Sequence, residues 1–437
     1  MRQSFATILA ATATLFSLGL QKSLNAQKTI SNYDREATEQ MLRVIHDHVK
    51  KYYYDPSYHG VDIDARYSAY AKKIGQETNR GAAFTDIAAY LSGLHDSHTF
   101  FIPPERSAIF DYGFRMQMVG DRAFITNLRP GSDAAAKLHP GDEVLSLNHF
   151  SVNRQDFQDL SYYLHELSPQ LGLTLDLRDP AGTEHQEFVK TTVRARPLDV
   201  TNFNLAFEIY LQHRESFQHL MHTRSQVLGN VLIWKVPGFF DSDAEVDRMI
   251  ENARRYSDLI IDLRGNLGGS GEMVSRMVGG LIDHDVKIVT RTSRKDTKPV
   301  VARTRGKAVF SGKVVVLVDS LSASASEAFA RVVQLEHRGI VVGDRTSGQV
   351  METKFYPLHF PGEYGLAITD ANLIMSDGKS LEGVGVMPDV IVLPTAVDLA
   401  AGCDPTLAKA AELSGVKLDS VAAGKLFPFE WAPLSAE

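Results

Sequence analysis

The sequence predicts a multidomain α/β chain: a helical N-terminal region, a small β domain, and an α/β domain whose mixed sheet is covered by helices. Three observations carry that reading. From Asn32 to about Ser107 apolar residues recur at helical spacing. From about Asp111 to Arg196 the pattern changes to short alternating strands and turns. From about Asn204 onward, strand-like apolar runs alternate with helical patterns, as in a parallel or mixed sheet covered on both faces. At 437 residues the chain can hold two or three domains. Its formal net charge is −7 and no basic run stands out, which argues against nucleic acid as a partner. The expected boundaries are a leader over 1–26, the helical region over 27–110, the β domain over 111–196, the α/β domain over 197–395, and a C-terminal helix and tail over 396–437.

The leader comes first. Arg2 is followed by an uncharged stretch from Phe5 to Leu20, and small residues then lead to Ala26. This is a signal-peptide layout and is short for a membrane span; a retained N-terminal anchor is the rival reading. Cleavage after Ala26 removes Arg2 and Lys22, so the mature charge becomes −7 − 2 = −9. No other stretch is apolar enough to cross a bilayer, so no integral membrane segment is expected in the mature chain. The only cysteine is Cys403, so no internal disulfide can form. Export without disulfides fits a bacterial envelope, periplasmic or secreted.

In the helical region, "DREATEQMLRVIHDHVKKYY" places Met41, Leu42, Ile45 and Val49 on one helix face. A second helix is expected in "FTDIAAYLSGLHD", running into "SHTFFIPP", where two prolines end regular structure. In the next region "YGFRMQMV" and "RAFITNL" alternate as strands do, and "RPGSDAAAKLHPGDEVLSLN" reads as turn, short helix, turn, strand. This stretch resembles a PDZ domain, on the apolar–Gly–apolar loop Tyr112-Gly113-Phe114, the turn Pro130-Gly131-Ser132 with its alanine helix, and Gly141-Asp142-Glu143-Val144 before a strand. The resemblance implies a loop whose N–H groups meet a peptide's C-terminal carboxylate and a strand edge that accepts the peptide. The plain alternative is a small β domain without a ligand.

Two strand ends in the α/β region stand out, because ligands in such sheets sit at the carboxyl ends of strands. In "IIDLRGNLGGSGE", Gly265, Gly268 and Gly269 fall in the turn before a helix, where backbone N–H groups can form an anion nest. The P-loop and dinucleotide glycine patterns are both absent. In "DSLSASASEAFARVVQ", Ser322, Ser324 and Ser326 lead from a buried strand into a helix. Ser324 with Glu327 is a capping box. The same place suits a nucleophile, favoured by the helix N-terminus and the Ala325 N–H. Position alone does not separate the two.

"DLRGNLGG", then "VDSLSASASEAF", "GDRTSGQV" and "LEGVGVMPD", in that order, resemble the S41 family of serine proteases: the C-terminal processing peptidases, the tricorn core protease and their relatives. A PDZ domain ahead of the catalytic domain fits the same family. The resemblance implies Ser324 as nucleophile and Gly268 or Gly269 with Ala325 as oxyanion hole. The processing branch pairs its serine with a lysine, but Gln349 stands at that position here, and an amide cannot take the proton. Lys354 is near in sequence but would point from another part of the strand. The tricorn-like branch uses an early histidine and a late glutamate, and the chain offers His98 in "LHDSHTFF" and Glu382 in "LEGVGVMPD". Ser97 would relay between His98 and the carboxylate.

The resulting expectation is an exported serine endopeptidase acting on peptides or proteins, needing no cofactor and no metal. Asp262, Asp319 and Asp344 each end a strand without a His or Cys partner, and are read as structural. Gln349 leaves a second reading open, a non-catalytic PDZ protein on an inactive S41 scaffold. A third is an S41-like fold acting on something other than peptides. The sequence assigns no oligomeric state; it holds no internal repeat and no coiled coil.

Overall fold

The structure is a computed structural model and describes residues 30–195, 222–359 and 361–431. The expected leader and the start of the expected α/β domain lie outside the described residues.

Three helices open the described chain: α1 (Asn32–Tyr52), α2 (Ile63–Ile74) and α3 (Arg80–Ser92). Side chains of Ser31, Asp62 and Asn79 cap their N-termini. Met41, Leu42, Ile45 and Val49 are buried on α1, as their spacing predicts. Sequence reading missed α2, which buries only its two end residues, Ile63 and Ile74, and so shows no apolar stripe. The expected loop after α3 holds a strand, β1 (Phe100–Ile102), before Pro103 and Pro104 end it.

The β domain follows. Its elements are β2 (Ala108–Asp111), β3 (Phe114–Val119), β4 (Arg122–Leu128), β5 (Glu143–Leu147), β6 (Phe150–Ser151), α4 (Phe157–Tyr162), β7 (Gly172–Arg178), β8 (Glu184–Lys190) and β9 (Thr192–Ala195). The sheet runs β3-β4-β5-β7-β8, with β6 on β5, while β2 and β9 pair as a separate stem. Met118, Ile125, Leu147, Leu160, Leu175 and Val189 form its own core. The expected alanine helix is a single 3-10 turn, Ala134–Ala136.

The α/β domain is built from β10 (Arg224–Leu228), β11 (Val231–Lys235), α5 (Asp243–Ala253), β12 (Asp258–Asp262), α6 (Gly271–Leu281), β13 (Val286–Ser293), β14 (Thr297–Ala302), β15 (Lys313–Val318), α7 (Ala325–Leu335), β16 (Ile340–Gly343), β17 (Met351–Leu358), β18 (Tyr364–Met375) and β19 (Val390–Ile391). Its main sheet runs β10-β11-β12-β15-β16-β19. Every pair from β11 to β19 is parallel, and β10 closes one edge antiparallel. Val246, Ile250, Met277, Phe329 and Val333, from α5, α6 and α7, cover one face. The other face takes Leu407, Ala410 and Ala423 from the C-terminal helices. These are α8 (Ala396–Ala400), α9 (Pro405–Leu413) and α10 (Ser420–Gly424). The mixed sheet covered on both faces is thus as expected.

A second sheet was not anticipated. β18 pairs with β1, β13 and β17, all antiparallel. β13 and β17 alternate poorly between buried and exposed positions, so their sequences give little strand signal. Pairing of Phe101 with Leu366 joins the N-terminal region to this sheet, which ties the His98 segment to the C-terminal half of the chain. The C-terminal tail also differs from the expected loose end: Trp431 Nε1 donates to Leu128 O at 3.0 Å. Among the described residues no helix is long and apolar enough to cross a membrane.

The carboxyl ends of β15 and β16 pack closely. At Gly343, with φ +131°, an added Cβ would meet Val318 O at 2.0 Å. Gly343→Ala should therefore destabilise the chain by about 1–3 kcal/mol or more in urea unfolding. Gly271→Ala, at the start of α6 with nothing within 4 Å, should be neutral or gain up to about 1 kcal/mol.

Candidate active site

β12 and β15 are adjacent and parallel, so the turns that follow them meet. Asn266, fully buried in the first turn, stitches them together. Its carbonyl accepts from Ala323 N at 2.9 Å and from Ser326 Oγ at 3.0 Å. Its side chain donates to Val236 O and accepts from Gly268 N at 2.7 Å. Gly268 and Gly269 have φ of +110° and +135°. A Cβ on Gly268 would meet Ser324 Cβ at 2.7 Å and Ala325 N at 3.1 Å. The glycine turn thus lies directly against Ser324. With the Gly268 N–H given to Asn266, the N–H groups of Gly269 and Ala325, on either side of Ser324, make no hydrogen bond to a described residue.

The three serines divide by environment. Ser322 Oγ donates to Leu263 O at 2.8 Å and Ser326 Oγ to Asn266 O at 3.0 Å; both residues are fully buried. These two are structural. Ser324 stands at the start of α7 with φ 56° and ψ −117°, and its hydroxyl makes no cap hydrogen bond. The expected capping box is therefore half made. Glu327 Oε2 accepts from Ser324 N at 3.0 Å, while Glu327 N donates to the Ser324 carbonyl at 3.0 Å rather than to its hydroxyl. A positive φ on a residue with a Cβ is strained and persists only where the surroundings enforce it.

Glu327 supplies that enforcement. It is fully buried, and its carboxylate also accepts from Gly348 N at 2.8 Å, Gln349 N at 2.9 Å and the Thr346 hydroxyl. Burial pushes the Glu327 carboxyl up to about 7, against the pull of these donors. Ser324 N also donates to Gln349 O at 2.8 Å, so the serine is tied to the strand segment that in the processing branch would bear the lysine.

His98 enters from the helical region. Its Nδ1 lies 2.7 Å from Ser97 Oγ. Ser97 Oγ donates to Glu382 Oε2 at 3.0 Å, and Ser97 N donates to Glu382 Oε1 at 2.8 Å. A hydroxyl has one proton to give. Since Ser97 gives it to Glu382, Nδ1 must be the donor to Ser97, and Nε2 is left with its lone pair. Nε2 makes no hydrogen bond to a described residue, Ser324 Oγ included. Burial lowers the His98 pKa to about 4, opposed by the Asp96 carboxylate. Burial pushes Glu382 up to about 7, although Val350 N also donates to it at 2.8 Å. Thr353 Oγ1 donates to His98 O at 3.0 Å, so the segment from Gln349 to Thr353 touches Ser324, Glu382 and His98 in turn.

Several residues that sequence reading did not single out hold this arrangement. Asp96 Oδ1 accepts from His98 N, Thr99 N and Thr369 Oγ1, which bolts the histidine turn to β18. Asn266 and Thr346 sit inside the quoted motifs, and Asp96 two residues before His98; proximity to the motifs was their only signal. Lys354 pairs with Asp370 at 2.7 Å on the exposed side of β17 and does not stand in for the missing lysine. Asp262 pairs with Arg264 and Lys235, Asp344 with Arg154, and Asp319 accepts from Gly265 N, as structural carboxylates do.

In the β domain, Tyr112 is buried and donates through its hydroxyl to Leu164 O at 2.8 Å. The Gly113 N–H, expected to face a ligand, donates to Asp111 Oδ1 at 2.9 Å. Phe114 opens β3.

Comparison with known proteins places the chain among peptidase-like sequences. Residues 230–392 match peptidase family S41, and residues 34–91 match the tricorn protease C1 domain. A chloroplastic carboxyl-terminal-processing peptidase 3 of Arabidopsis thaliana is 25% identical over 358 residues, 78% of this chain and 66% of that protein. The tail-specific protease of Haemophilus influenzae is 26% identical over 271 residues, 58% of this chain and only 36% of that protein. The crystal structure of mature CPAF superposes with a TM-score of 0.63 at 16% identity, over 84% of this chain and 94% of that one, a likeness of fold.

Strain and hydroxyl bonding predict opposite stability effects along one short run. Ser324→Gly should raise stability by about 1 kcal/mol, by releasing the positive φ less glycine's own entropy cost. Ser322→Ala and Ser326→Ala should each lower it by about 1–2 kcal/mol, because each removes a buried hydroxyl that two backbone groups use. Denaturant unfolding of the three variants reads the contrast directly.

Proposed function

We propose that this chain, which carries a peptidase family S41 domain, is an exported serine endopeptidase that cleaves peptide bonds with Ser324, His98 and Glu382. The observation that carries the proposal is the hydrogen-bond direction from His98 through Ser97 to Glu382, which leaves Nε2 as an open proton acceptor. In this reading Ser324 Oγ attacks the scissile carbonyl and His98 Nε2 takes its proton. His98 then returns the proton to the leaving amine. The Gly269 and Ala325 N–H groups bind the developing oxyanion. Gln349 keeps only a backbone role, and no metal or cofactor enters the reaction.

Names of relatives support a polypeptide substrate processed near its C-terminus. The β domain would recruit that substrate through its PDZ-like loop, and the leader would direct the chain to the envelope. A second reading is a binding protein on an inactive scaffold, favoured by the glutamine at position 349 and by the lack of a Ser324–His98 hydrogen bond. The deciding experiment is labelling by a serine-directed phosphonate of the wild-type chain and of Ser324→Ala. Labelling of the first and not the second supports the peptidase; labelling of neither, in folded protein, supports the scaffold. On the peptidase reading Ser324→Ala also abolishes hydrolysis of a short unstructured peptide, while Ser322→Ala and Ser326→Ala retain most of it.

His98→Ala should lower kcat about 10³-fold or more, as loss of a triad member does. Glu382→Gln should cost less, since an amide still fills the site without stabilising the imidazolium. Gln349→Ala should be mild. If Lys354→Ala is inactive while His98→Ala is near wild type, a displaced lysine is the base instead.

The pH profile follows from the two shifted groups. His98, lowered to about 4, is neutral and competent as a base throughout the neutral range and loses that role only as pH falls past its pKa. Glu382, raised to about 7, is ionised above that value and gains a proton below it, which removes an acceptor from Ser97. kcat/KM should therefore be full above about pH 7, fall through a limb near 7, and fall again near 4. Glu382→Gln should shrink the upper limb to what Glu327, also raised to about 7, contributes, and keep the lower. A single limb at the ordinary histidine value, about 6.5, in both proteins would contradict this assignment.

A further inference from the structure

A second cluster of ligating side chains lies outside the site described above. His222 stands two residues before β10, Asp241 lies in the loop after β11, and Glu245 is in the first turn of α5. Their donor atoms, one imidazole nitrogen and two carboxylate oxygens, all lie within 4.8 Å of one another. No other trio of His, Cys, Asp or Glu among the described residues does so. A cavity of about 290 Å³ opens beside them, lined also by Thr223, Trp234 and Arg248. Both carboxylates are already oriented by neighbours. The Thr223 hydroxyl donates to Asp241 Oδ2 at 2.5 Å. Ser242 N and Oγ donate to Glu245 Oε2 at 2.7 and 2.8 Å, which leaves Oε1 without a bond to a described residue. Arg248 gives its Nε to Ala244 O at 3.4 Å, and neither carboxylate pairs with a described lysine or arginine.

We infer that His222, Asp241 and Glu245 bind one divalent cation of the zinc class, and that the bound cation braces the loop on which the Gly268-Gly269 turn rests. An imidazole with two carboxylates suits zinc, whereas magnesium and calcium prefer oxygen donors alone. A tetrahedral zinc holds its donors about 3.3 Å apart, so the three close on it by a small turn of the exposed His222 ring. Three protein donors leave a fourth position for water, for which the cavity has room. Bonds from Thr223 and Ser242 fix the two carboxylates, as outer partners of metal ligands do. The start of α5 carries partial positive charge and opposes a cation; two carboxylates outweigh it. The brace follows from the path of the chain. Phe239, fully buried, lies two residues before Asp241. Its N–H donates to Gly268 O at 2.9 Å and its carbonyl accepts from Ser270 N at 2.9 Å, so it grips the glycine turn at both ends. A Cβ on Gly269 would meet Phe239 O at 2.6 Å. A cation that joins Asp241 to α5 and to the start of β10 takes away this loop's freedom to draw back from the turn. The cation stays outside the reaction, and neither half of the inference requires Ser324 to be a nucleophile.

The test uses the full chain, purified without a metal-affinity step, stripped with a chelator and titrated with zinc chloride. Calorimetric titration should show a tight site of unit stoichiometry in wild type. His222→Ala and Glu245→Gln should weaken it more than about tenfold, and Thr223→Val, which frees Asp241 from its hydroxyl partner, about tenfold. Saturating zinc should raise the melting temperature by about 3 °C or more, and magnesium at the same concentration should not. Hydrogen exchange read by mass spectrometry should slow about tenfold over 236–242 and 265–271 when zinc is added to wild type. It should stay unchanged in His222→Ala, whose exposed position makes it the variant least able to disturb folding. Equal zinc binding by wild type and His222→Ala, or an equal melting shift with magnesium, overturns the site. Zinc binding without slower exchange over 265–271 overturns the brace. Failure of the peptidase reading appears separately, as a chain that binds zinc in this way but takes no phosphonate label.

Discussion

A buried carboxylate, Glu327, is the constraint on which the rest of the site depends. Burying an ion is costly unless its lone pairs are met, and four donors meet them here: Ser324 N, Gly348 N, Gln349 N and the Thr346 hydroxyl. Each bond does two things. It offsets the desolvation of Glu327, and it fixes a backbone group that would otherwise be free to relax. Ser324 cannot leave its strained conformation without stripping a bond from the carboxylate. The turn from Thr346 to Gln349 cannot move without stripping three. The strain at Ser324 is thus held by the electrostatic demand of one glutamate three residues further along.

Glu382 repeats the device on the other side of the same strand segment. Glu327 takes the N–H groups of Gly348 and Gln349, and Glu382 takes that of Val350. The segment is clamped between two carboxylates, one organising the Ser324 turn and the other the His98 turn. The second clamp spans 285 residues of sequence through Ser97, and it holds together elements from opposite ends of the chain. Antiparallel pairing of β1 with β18 and the bonds from Asp96 to Thr369 bring the histidine to within reach of that clamp. Fold and site are therefore not separable here: the unanticipated second sheet is what places His98 beside Glu382.

What the sequence made legible follows a physical line. Parallel strands buried on both faces read as apolar runs, so β11, β12, β15 and β16 were visible, and with them the two turns at their carboxyl ends. A helix with a full apolar stripe, α1, was visible; α2, buried only at its ends, was not. The pieces of the site in local motifs could be placed by number, whereas the hydrogen-bond directions that distinguish a cap from an unbonded hydroxyl could not. Ser324 and Glu327 satisfy the capping pattern letter by letter, yet Glu327 N donates to the Ser324 carbonyl rather than to its hydroxyl. Likewise the Tyr112-Gly113-Phe114 loop has the right letters, and only the fold brings Asp111 onto its central N–H.

Position 349 shows why a substitution that reads as a loss can be tolerated. The backbone at Gln349 is used twice, its N–H by Glu327 and its carbonyl by Ser324 N. Those duties are indifferent to the side chain, so glutamine can stand there without disturbing the Ser324 turn. A lysine at that place would bring a cation close to two buried carboxylates, and pairing with either would compete with the backbone donors that now satisfy them. Without it, Glu382 remains available to Ser97, and Ser97 to His98. The absence of the lysine and the presence of the histidine relay are in this sense one arrangement. Among the described residues no ammonium pairs with Glu382, so its oxygens are left to the Ser97 N–H and hydroxyl and to Val350 N.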